Sequence, residues 1–528
     1  MPFGKIHFCA ALGAAATLFA LLPTCRATEP LRADGGLLGD VAADGSGVRV
    51  FKGIPYAAPP VGELRWKAPA PVKGWDGVRK ADDWGPRCMQ GTRLGDIDPL
   101  NKHMEEDCLY LNVWTPAKAP NERLPVMVWI HGGSNNVGAG SQPDYDGSHL
   151  AKKGVVVVTI NYRLDVFGFL AHPALTRESG TNSSGNYALL DQIAALRWVQ
   201  KNIAAFGGES GLVTVFGESA GAIDISLLMT SPLAKGLFAR AIGESGGALT
   251  PLPAFGPKPL QIGEQDGVKF AEALGASSIS ELRAKPAQEL LQAAIKAPIT
   301  YGFGVVDGHV VPEHPAKIYA QGKQHDVPLL VGWNADEGTL FAARVAEARP
   351  FTDRVRAQFK DQADAVLKLY PPGSTPEQDK RAFAELFGDQ IIGYGTWAWA
   401  EHASAKSPTF RYYFTRRPPG APELSINPLA APGVYHSAEL YYVWDNQQIR
   451  DWPWEDADRR LAATITAYWV NFARTGNPNG SGLPPWPRYS AGGSGQVMGL
   501  GEEIGARAEP RRDRYEFFHA FYQKLASP

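Results

Sequence analysis

The sequence lacks an excess of charge of either sign. Lysine and arginine number 52 and aspartate and glutamate 54, so the formal net charge of the 528 residues is −2. A protein that binds nucleic acid would carry a basic excess, and this balance argues against nucleic acid as a partner. Charged residues make up 20% and hydrophobic residues 44% of the chain, which excludes global disorder and allows a large core.

Motifs for metal ions and cofactors are missing as well. The chain contains no His-Glu-x-x-His sequence, no cluster of cysteine and histidine, and no phosphate-binding loop. We therefore expect a protein that needs neither a metal ion nor an organic cofactor. Its 57 glycines and 42 prolines follow no repeat period, which indicates a loop-rich globular chain rather than a fibrous or low-complexity one.

Beyond the N-terminus, no stretch reaches about 18 uninterrupted apolar residues, so we expect no stable insertion into a membrane. Residues 1–27 have the character of a signal peptide. Lys5 provides a positive charge, 8–22 is an apolar run too short to span a bilayer, and Cys25 and Ala27 are small residues before a cleavage after Ala27. This pattern predicts a secreted or periplasmic protein. Lipid attachment at Cys25 and a buried N-terminal helix are the alternatives.

Cysteine is scarce, with only four residues in the chain, and cleavage after Ala27 would leave Cys88 and Cys108. In an exported protein, a single pair of cysteines indicates a disulfide. Closing the loop between them would contribute roughly 3 kcal/mol if chain entropy is the main term. The alternative is a pair of buried free thiols.

Short apolar runs alternate with helical patterns, which predicts an α/β fold with a mainly parallel sheet and crossover helices. Residues 188–205 have apolar residues at helical spacing, and further helices are predicted around 262–300 and 347–405. In the latter two regions, Ser278 begins a capping box and Pro376 occupies a first helical position. Because the chain has no internal repeat and no linker, we expect residues 28–528 to form one domain. The predicted strands lie at 125–130, 154–162, 212–216, 239–242, 327–332 and 409–414.

A G-x-S-x-G sequence, Gly217-Glu218-Ser219-Ala220-Gly221, lies between a predicted strand and a predicted helix. A serine in such a sharp turn needs small neighbours on both sides, and the two glycines provide them. The turn exposes the hydroxyl, and the N-terminus of the following helix favours negative charge beside it. Ser219 is therefore the candidate nucleophile, and a plain structural turn is the alternative.

A serine hydroxyl needs a base that is itself oriented by an acid, and in α/β-hydrolases the chain order is serine, acid, histidine. His436 follows a proline-rich stretch at 418–432, which could hold it over the sheet. Asp336 and Glu337 both come directly after the fifth predicted strand, at an edge where ligands bind in open sheets. These considerations leave the choice between the two acids open.

An oxyanion hole needs backbone N–H groups directed at the developing negative charge. The residue after the nucleophile, Ala220, would supply one of them. The others would come from a glycine-rich turn, and His131-Gly132-Gly133-Ser134 ends an early predicted strand.

Further ordered motifs make the chain resemble the type-B carboxylesterases, a group that includes cholinesterases, liver carboxylesterases and bacterial para-nitrobenzyl esterases. The resemblance extends over most of the mature chain, and Glu-Asp-Cys-Leu-Tyr-Leu-Asn at 106–112 is one of its motifs. The resemblance implies an α/β-hydrolase fold, a single catalytic domain, and cleavage of carboxylic esters through an acyl-enzyme intermediate. The other motifs lie at 51–56, 161–164, 185–186, 191–192, 202–203, 206–208 and 471–478.

The resemblance also implies particular roles for residues of this chain. Because the family uses a Ser-Glu-His triad, it favours Glu337 over Asp336 as the acid beside Ser219 and His436. The family pairs the two cysteines that match Cys88 and Cys108, and its oxyanion donors correspond to Gly133, Ser134 and Ala220.

Two further acids, Glu218 and Glu439, match a buried network behind the family's site. They could stabilise a charged imidazole, or they could only hold the fold together through hydrogen bonds. Ser134 departs from the family, which usually has a third glycine there. Its side chain adds bulk and lacks the freedom of glycine to take positive φ, so we expect a turn fixed in one shape.

These observations predict a hydrolase for a small-molecule ester, with no nucleic acid as partner. The first alternative is a specialised esterase for one bulky natural ester or polyester, for example a toxin esterified with a polycarboxylate. The second is a non-catalytic binding protein of the same fold, which is disfavoured because all three triad positions are occupied. Oligomeric state does not follow from the sequence.

Overall fold

The computed structural model describes residues 30–39, 46–91, 102–251, 256–297, 299, 301–342, 349–420, 433–492 and 495–526. The predicted signal peptide at 1–27, including Cys25, lies outside these residues, as does most of the proline-rich stretch at 418–432. In the described part of the chain, no helix is both long and apolar enough to cross a membrane.

A ten-stranded sheet forms the centre of the fold. The strands in the described part of the chain are β1 (Leu31–Ala33), β2 (Gly36–Gly39), β3 (Arg49–Pro55), β4 (Val78–Lys80), β5 (Arg87–Cys88), β6 (Met104–Glu105), β7 (Tyr110–Thr115), β8 (Leu124–Ile130), β9 (Val156–Ile160), β10 (Gly208–Glu218), β11 (Arg240–Glu244), β12 (Lys258–Pro259), β13 (Val305–Val306), β14 (Leu329–Asn334), β15 (Thr409–Phe414), β16 (Gln496–Leu500) and β17 (Gly505–Ala508). Ten of them form the central sheet, in the order β17-β16-β15-β14-β11-β10-β8-β9-β7-β3. From β9 to β16 every neighbouring pair is parallel, and the pairs at both edges are antiparallel.

Helices connect these strands and cover the sheet. They are α1 (Ser148–Lys152), α2 (Asp165–Phe169), α3 (Pro173–Glu178), α4 (Tyr187–Asn202), α5 (Ala220–Leu228), α6 (Leu260–Ala273), α7 (Ile279–Ala284), α8 (Ala287–Lys296), α9 (Pro315–Ala320), α10 (Thr339–Ala342), α11 (Phe351–Phe359), α12 (Ala363–Leu369), α13 (Pro376–Gly388), α14 (Tyr394–Ser404), α15 (Leu440–Val443), α16 (Asp456–Thr475) and α17 (Arg512–Ala526). A π-helical turn at Asp389–Gly393 joins α13 to α14.

The central strands are mainly apolar because the sheet is buried on both faces. In β8, Val128 and Ile130 belong to one hydrophobic cluster, whereas Met127 and Trp129 belong to a second cluster on the opposite face. Side chains alternate between the faces of a strand, so a sheet that is buried on both faces favours apolar residues at successive positions. The second cluster includes Trp469 of α16.

The predicted parallel sheet is confirmed, and the six predicted strands correspond to β8, β9, β10, β11, β14 and β15. The predicted helix at 188–205 is α4. Ser278 accepts a hydrogen bond from the Glu281 N–H at the start of α7, and Thr375 caps α13. β10 begins four residues before its apolar run, because Gly208 already pairs with Leu124 ahead of a shift in register.

Candidate active site

Ser219 lies in the sharp turn between β10 and α5. Its backbone has φ 54° and ψ −121°, a strained conformation for a residue other than glycine. Its N–H donates to the Glu244 carbonyl at 2.8 Å. A Cβ atom at Gly217 or Gly221 would lie 2.6 or 2.0 Å from the Ile130 carbonyl oxygen, so neither position can hold a larger residue without rearrangement. The expected need for small neighbours is confirmed.

A chain of short contacts joins Ser219, His436 and Glu337. His436 Nε2 is 2.9 Å from Ser219 Oγ, and His436 Nδ1 is 2.5 Å from Glu337 Oε2. The three residues come from different parts of the chain. Ser219 follows β10, Glu337 follows β14, and His436 lies shortly before α15. The imidazole therefore contacts a hydroxyl through one nitrogen and a carboxylate through the other.

The carboxylates of Asp336 and Glu337 have different partners. Asp336 Oδ2 accepts a hydrogen bond from the Val434 N–H at 2.8 Å, which fixes the backbone that leads to His436. Glu337 Oε1 accepts from the Asn334 N–H at 2.8 Å and from the Ser245 hydroxyl at 2.6 Å. Glu337, rather than Asp336, is thus the acid that contacts the imidazole.

Glu218 is a second carboxylate beside the imidazole. Its Oε1 lies 3.1 Å from His436 Nε2 and accepts a hydrogen bond from the Ser437 hydroxyl at 2.5 Å. Burial by itself lowers the pKa of His436, but the carboxylates of Glu218 and Glu337 outweigh burial and raise this pKa to about 9. Negative charge on both sides thus favours the protonated imidazole.

Glu439 lies one step further from the imidazole. It accepts hydrogen bonds from the Ser245 hydroxyl at 3.2 Å and from the Asn334 side-chain amide. Burial, followed by the nearby charges of Glu218 and Glu337, raises the pKa of Glu439. Ser245 therefore bridges Glu439 to Glu337.

The glycine-rich turn after β8 borders the same site. The Gly133 carbonyl accepts from the Asn136 and Val137 N–H groups at 3.0 and 3.1 Å. Gly133 has φ 103° and Ser134 has φ 54°, so the serine adopts the left-handed conformation that glycine would take more readily. Ala220 is the first residue of α5, where a helix offers no acceptor for its own N–H.

A cavity of about 130 Å³ opens at Ser219 and His436. Its wall combines apolar and aromatic side chains with polar and charged ones. Arg450 is one of the charged residues, and its Nη2 lies 3.4 Å from Asp144 Oδ1. The remaining lining residues are Gly132, Gly133, Ser134, Gln142, Tyr145, Glu218, Leu340, Phe341, Tyr435, Ser437, Leu440 and Tyr441.

Cys88 and Cys108 form a disulfide with their Cα atoms 5.0 Å apart. Cys88 ends β5, and Cys108 precedes β7 of the central sheet. The predicted pairing is present, and both residues are buried.

The family model described as "Carboxylesterase family" matches residues 30–518, which include the serine turn, the acid and the histidine. The chain belongs to the carboxylesterase family. The fumonisin B1 esterase of Sphingopyxis macrogoltabida is 40% identical over 478 residues, covering 87% of this chain and 84% of that protein. The para-nitrobenzyl esterase of Bacillus subtilis (strain 168) is 36% identical over 489 residues, covering 89% and 94%.

Solved structures agree with this assignment. A PNB esterase structure is 34% identical, with a TM-score of 0.79 over 92% of this chain and 99% of the other. The expected α/β-hydrolase fold is confirmed. This carboxylesterase is therefore a carboxylic ester hydrolase, as the sequence motifs predicted.

Several residues of the esterase site escaped the sequence analysis. Ser245 and Asn334 hold the acids, and Ser437 binds Glu218. Gly243-Glu244-Ser245-Gly246-Gly247 begins with the last two residues of β11, the strand next to the nucleophile strand, and it is similar to the nucleophile turn. That similarity is the signal by which Ser245 could have been found. Arg450 gave no such signal, because it lies in a loop without a motif.

Proposed function

We propose that the protein cleaves carboxylic esters with Ser219 as nucleophile, His436 as general base and acid, and Glu337 as the group that orients His436. The observation that supports this most strongly is the continuous path from Ser219 Oγ to His436 Nε2 at 2.9 Å and from His436 Nδ1 to Glu337 at 2.5 Å. Each distance is within the range in which a proton can be shared.

The reaction proceeds in two halves. His436 accepts the proton of Ser219 as Oγ attacks the ester carbonyl, and it then gives this proton to the departing alcohol. Water next attacks the acyl-enzyme, with His436 again as the base, and releases the acid and the free serine. Glu337 keeps the Nδ1 proton in place and stabilises the imidazolium that forms in each half.

The N–H groups of Gly133, Ser134 and Ala220 are proposed to bind the oxygen of the tetrahedral intermediate. Gly133 and Ser134 line the cavity at Ser219, and Ala220 begins the helix directly after it. Donors placed in this way act on charge that develops only in the transition state, where each contributes about 2.7–4 kcal/mol.

Glu218 and Glu439 are proposed to have different roles. Glu218 contacts the imidazole and so stabilises its charged form. Glu439 contacts Ser245 and Asn334, so its role is to hold the groups that position Glu337. The two possibilities raised from the sequence are thus divided between the two acids.

The substrate is proposed to be a small-molecule ester with apolar parts, because Leu340, Phe341, Tyr435 and Leu440 line the cavity. A specialised esterase for a bulky natural ester is the second candidate. Arg450 in the cavity wall could bind a carboxylate of such a substrate, and one relative is named a fumonisin B1 esterase.

The two candidate functions predict different preferences between neutral and anionic esters. We would compare kcat/KM for neutral p-nitrophenyl esters of increasing chain length with that for half-esters of dicarboxylic acids of the same length. An anionic preference that is lost in Arg450→Met favours the specialised esterase, and a preference for neutral chains in both proteins favours the general one.

Export from the cytoplasm is also proposed. Residues 1–27 have the pattern of a signal peptide, and a disulfide between Cys88 and Cys108 is compatible with an oxidising compartment. N-terminal sequencing of the mature protein tests the cleavage after Ala27. A lipid on Cys25 would instead give a blocked N-terminus at that residue.

The catalytic assignment is tested by Ser219→Ala. We expect kcat to fall by roughly 10⁶-fold, as in other triad hydrolases, with the fold intact. Ser245→Ala is the matched control, because this buried serine contacts Glu337 but not the substrate side of the site, and it should retain far more activity. Equal activity of Ser219→Ala and the wild type would refute the assignment.

A further inference from the structure

The turn that borders the active site contains two consecutive residues in the left-handed conformation, neither of which is glycine. Ser134 has φ 54° and Asn135 has φ 55°. This conformation costs roughly 1–2 kcal/mol for most L-residues, and asparagine tolerates it better than most. Contacts elsewhere in the molecule must therefore hold the turn in this shape.

Asn135 is fully buried and provides such contacts. Its Nδ2 donates to Asp224 Oδ1 at 2.9 Å and to the Gly302 carbonyl at 2.6 Å. Its Oδ1 lies 2.9 Å from the Tyr162 hydroxyl, and its backbone carbonyl accepts from the Asp165 N–H at 2.7 Å. Two acceptors at Nδ2 fix which end of the amide faces Asp224.

Asp224 lies on α5, the helix that begins immediately after Ser219. The bond between Asn135 and Asp224 therefore links the turn that carries Gly133 and Ser134 to the helix that carries Ala220. These are the two separate parts of the chain from which the proposed oxyanion hole is built. They are 89 residues apart in sequence, measured between Asn135 and Asp224.

The Gly302 loop closes the other side of the same turn. A Cβ atom at Gly302 would lie 2.5 Å from the Ser134 carbonyl oxygen, so the two backbones are already in close approach. The Asn136 side chain donates to this same carbonyl oxygen at 2.6 Å. Ser134 is thus confined from both sides once Asn135 is in place.

Packing alone does not explain a carboxyl group at position 224. Asp224 is fully buried, and its carboxylate accepts hydrogen bonds from the side-chain amides of Asn135 and Gln192. Burial raises the pKa of Asp224 to about 7, and these amides oppose the rise. An apolar side chain would fill this space without the cost of burying a carboxyl group.

We propose that Asn135 is a positioning residue, which Asp224 holds so that the Gly133–Ser134 turn keeps a fixed distance from the nucleophile helix. This inference rests on the proposed function, because it assumes that the turn and Ala220 form the oxyanion hole. Loss of the link lets the donors move away from the oxyanion. Binding of the ground-state ester does not depend on them to the same extent.

Asn135→Gly is the most informative variant, because glycine accepts φ 55° and only the side-chain bonds are lost. We expect kcat to fall roughly 10- to 100-fold, somewhat less than the loss of a whole oxyanion donor, while KM changes by less than about threefold. Asp224→Leu should have the same effect. Asp224→Asn should retain most of the activity, because its Oδ1 can accept from Asn135 and its Nδ2 can donate to Gln192 once that amide turns over.

Inhibitor binding separates positioning from general disruption. A trifluoromethyl ketone adds to the serine and places a negative oxygen in the oxyanion hole, whereas the matching methyl ketone mainly fills the cavity. Affinity for the trifluoromethyl ketone should fall in proportion to kcat in Asn135→Gly and Asp224→Leu. Affinity for the methyl ketone should stay within about threefold of wild type.

Asn202→Leu is the matched control. This buried asparagine accepts from the Asp34 N–H and donates to the Trp198 carbonyl at the end of α4. It should lower Tm without changing the ratio of the two inhibitor affinities. Organophosphate labelling of Ser219 in the same preparations reports the nucleophile separately, so failure of the catalytic assignment is distinguishable.

Two results would overturn the proposal. The first is an Asn135→Gly protein whose kcat and trifluoromethyl ketone affinity remain within about threefold of wild type. The second is an equal loss of affinity for both ketones, which would mean that the residue only supports the fold. If Asp224→Leu does not fold, Asn135→Gly and Asp224→Asn decide the question alone.

Discussion

The Glu218 carboxylate lies 3.1 Å from His436 Nε2, the same nitrogen that lies 2.9 Å from the Ser219 hydroxyl. The imidazole is therefore flanked by a negative charge at the nitrogen that exchanges protons with the substrate, in addition to Glu337 at the other nitrogen. Such an arrangement stabilises the imidazolium during the reaction and also raises the pH at which the free base forms.

Glu218→Gln should shift the acidic limb of the pH profile of kcat/KM toward lower pH. The base must be neutral to accept the serine proton, so activity rises as pH rises through the pKa of His436, which the carboxylates raise to about 9. Removing one of them lowers this pKa. The plateau rate should also fall roughly 10-fold, which corresponds to about 1.4 kcal/mol of transition-state stabilisation.

Glu439→Gln is the control for this shift, because Glu439 hydrogen-bonds to Ser245 and Asn334. It should move the limb less than Glu218→Gln does. A Glu218→Gln profile that is unchanged, or that moves to higher pH, would show that Glu218 does not act on the imidazole.

Glu337→Gln should lower kcat by roughly 10³- to 10⁴-fold. The glutamine oxygen would accept from the Asn334 N–H and the Ser245 hydroxyl, so its NH2 would face Nδ1, and an uncharged amide does not stabilise the imidazolium. Asp336→Asn is the matched variant at the neighbouring acid, whose carboxylate binds the Val434 N–H. Asp336→Asn should lower Tm, but its loss of kcat should be much smaller than that of Glu337→Gln. If Asp336→Asn caused the larger loss of kcat while it was fully folded at the assay temperature, the acid assignment would be wrong.

Ser134→Gly should increase activity on esters of tertiary alcohols relative to esters of ethanol. Ser134 lines the cavity at Ser219, so its side chain would take up space beside the carbonyl of an ester bound there. Glycine also relieves the positive φ of 54° at this position. The measurement is the ratio of kcat/KM for tert-butyl and ethyl esters of one acid in both proteins, and an unchanged ratio would contradict the idea.

Replacing both Cys88 and Cys108 by serine should lower the free energy of unfolding by about 3 kcal/mol, because the disulfide closes a loop of this size in the unfolded chain. Denaturant unfolding of the two proteins measures the difference. Non-reducing peptide mapping of native material should show the two residues in one cross-linked pair. Free thiols at both positions would contradict the pairing and weaken the case for export.

Much of the fold could be predicted from the sequence, because the central strands are buried on both faces and so form short runs of mainly apolar residues. β8 and β15 match their predicted ranges within one residue. The nucleophile turn could be predicted equally well, since its two glycines are required by close contact with the Ile130 carbonyl. Such features can be recognised in a short stretch of sequence because they depend on few contacts with distant parts of the chain.

Other features depend on where distant segments meet. Asp336 and Glu337 are adjacent and chemically alike, and only the turn after β14 determines which one reaches His436, 99 residues beyond Glu337. The contact between Asn135 and Asp224 and the position of Arg450 in the cavity wall are of the same kind. No local pattern distinguishes these polar residues from solvated ones.

The central claim, that Ser219 is the residue acylated by the substrate, is tested most directly by labelling with an organophosphate and locating the adduct by mass spectrometry. We predict one adduct, on the peptide that contains Ser219, with loss of activity in proportion to labelling. The label should be absent from Ser219→Ala. An adduct on any other residue that accounts for the loss of activity would contradict the assignment.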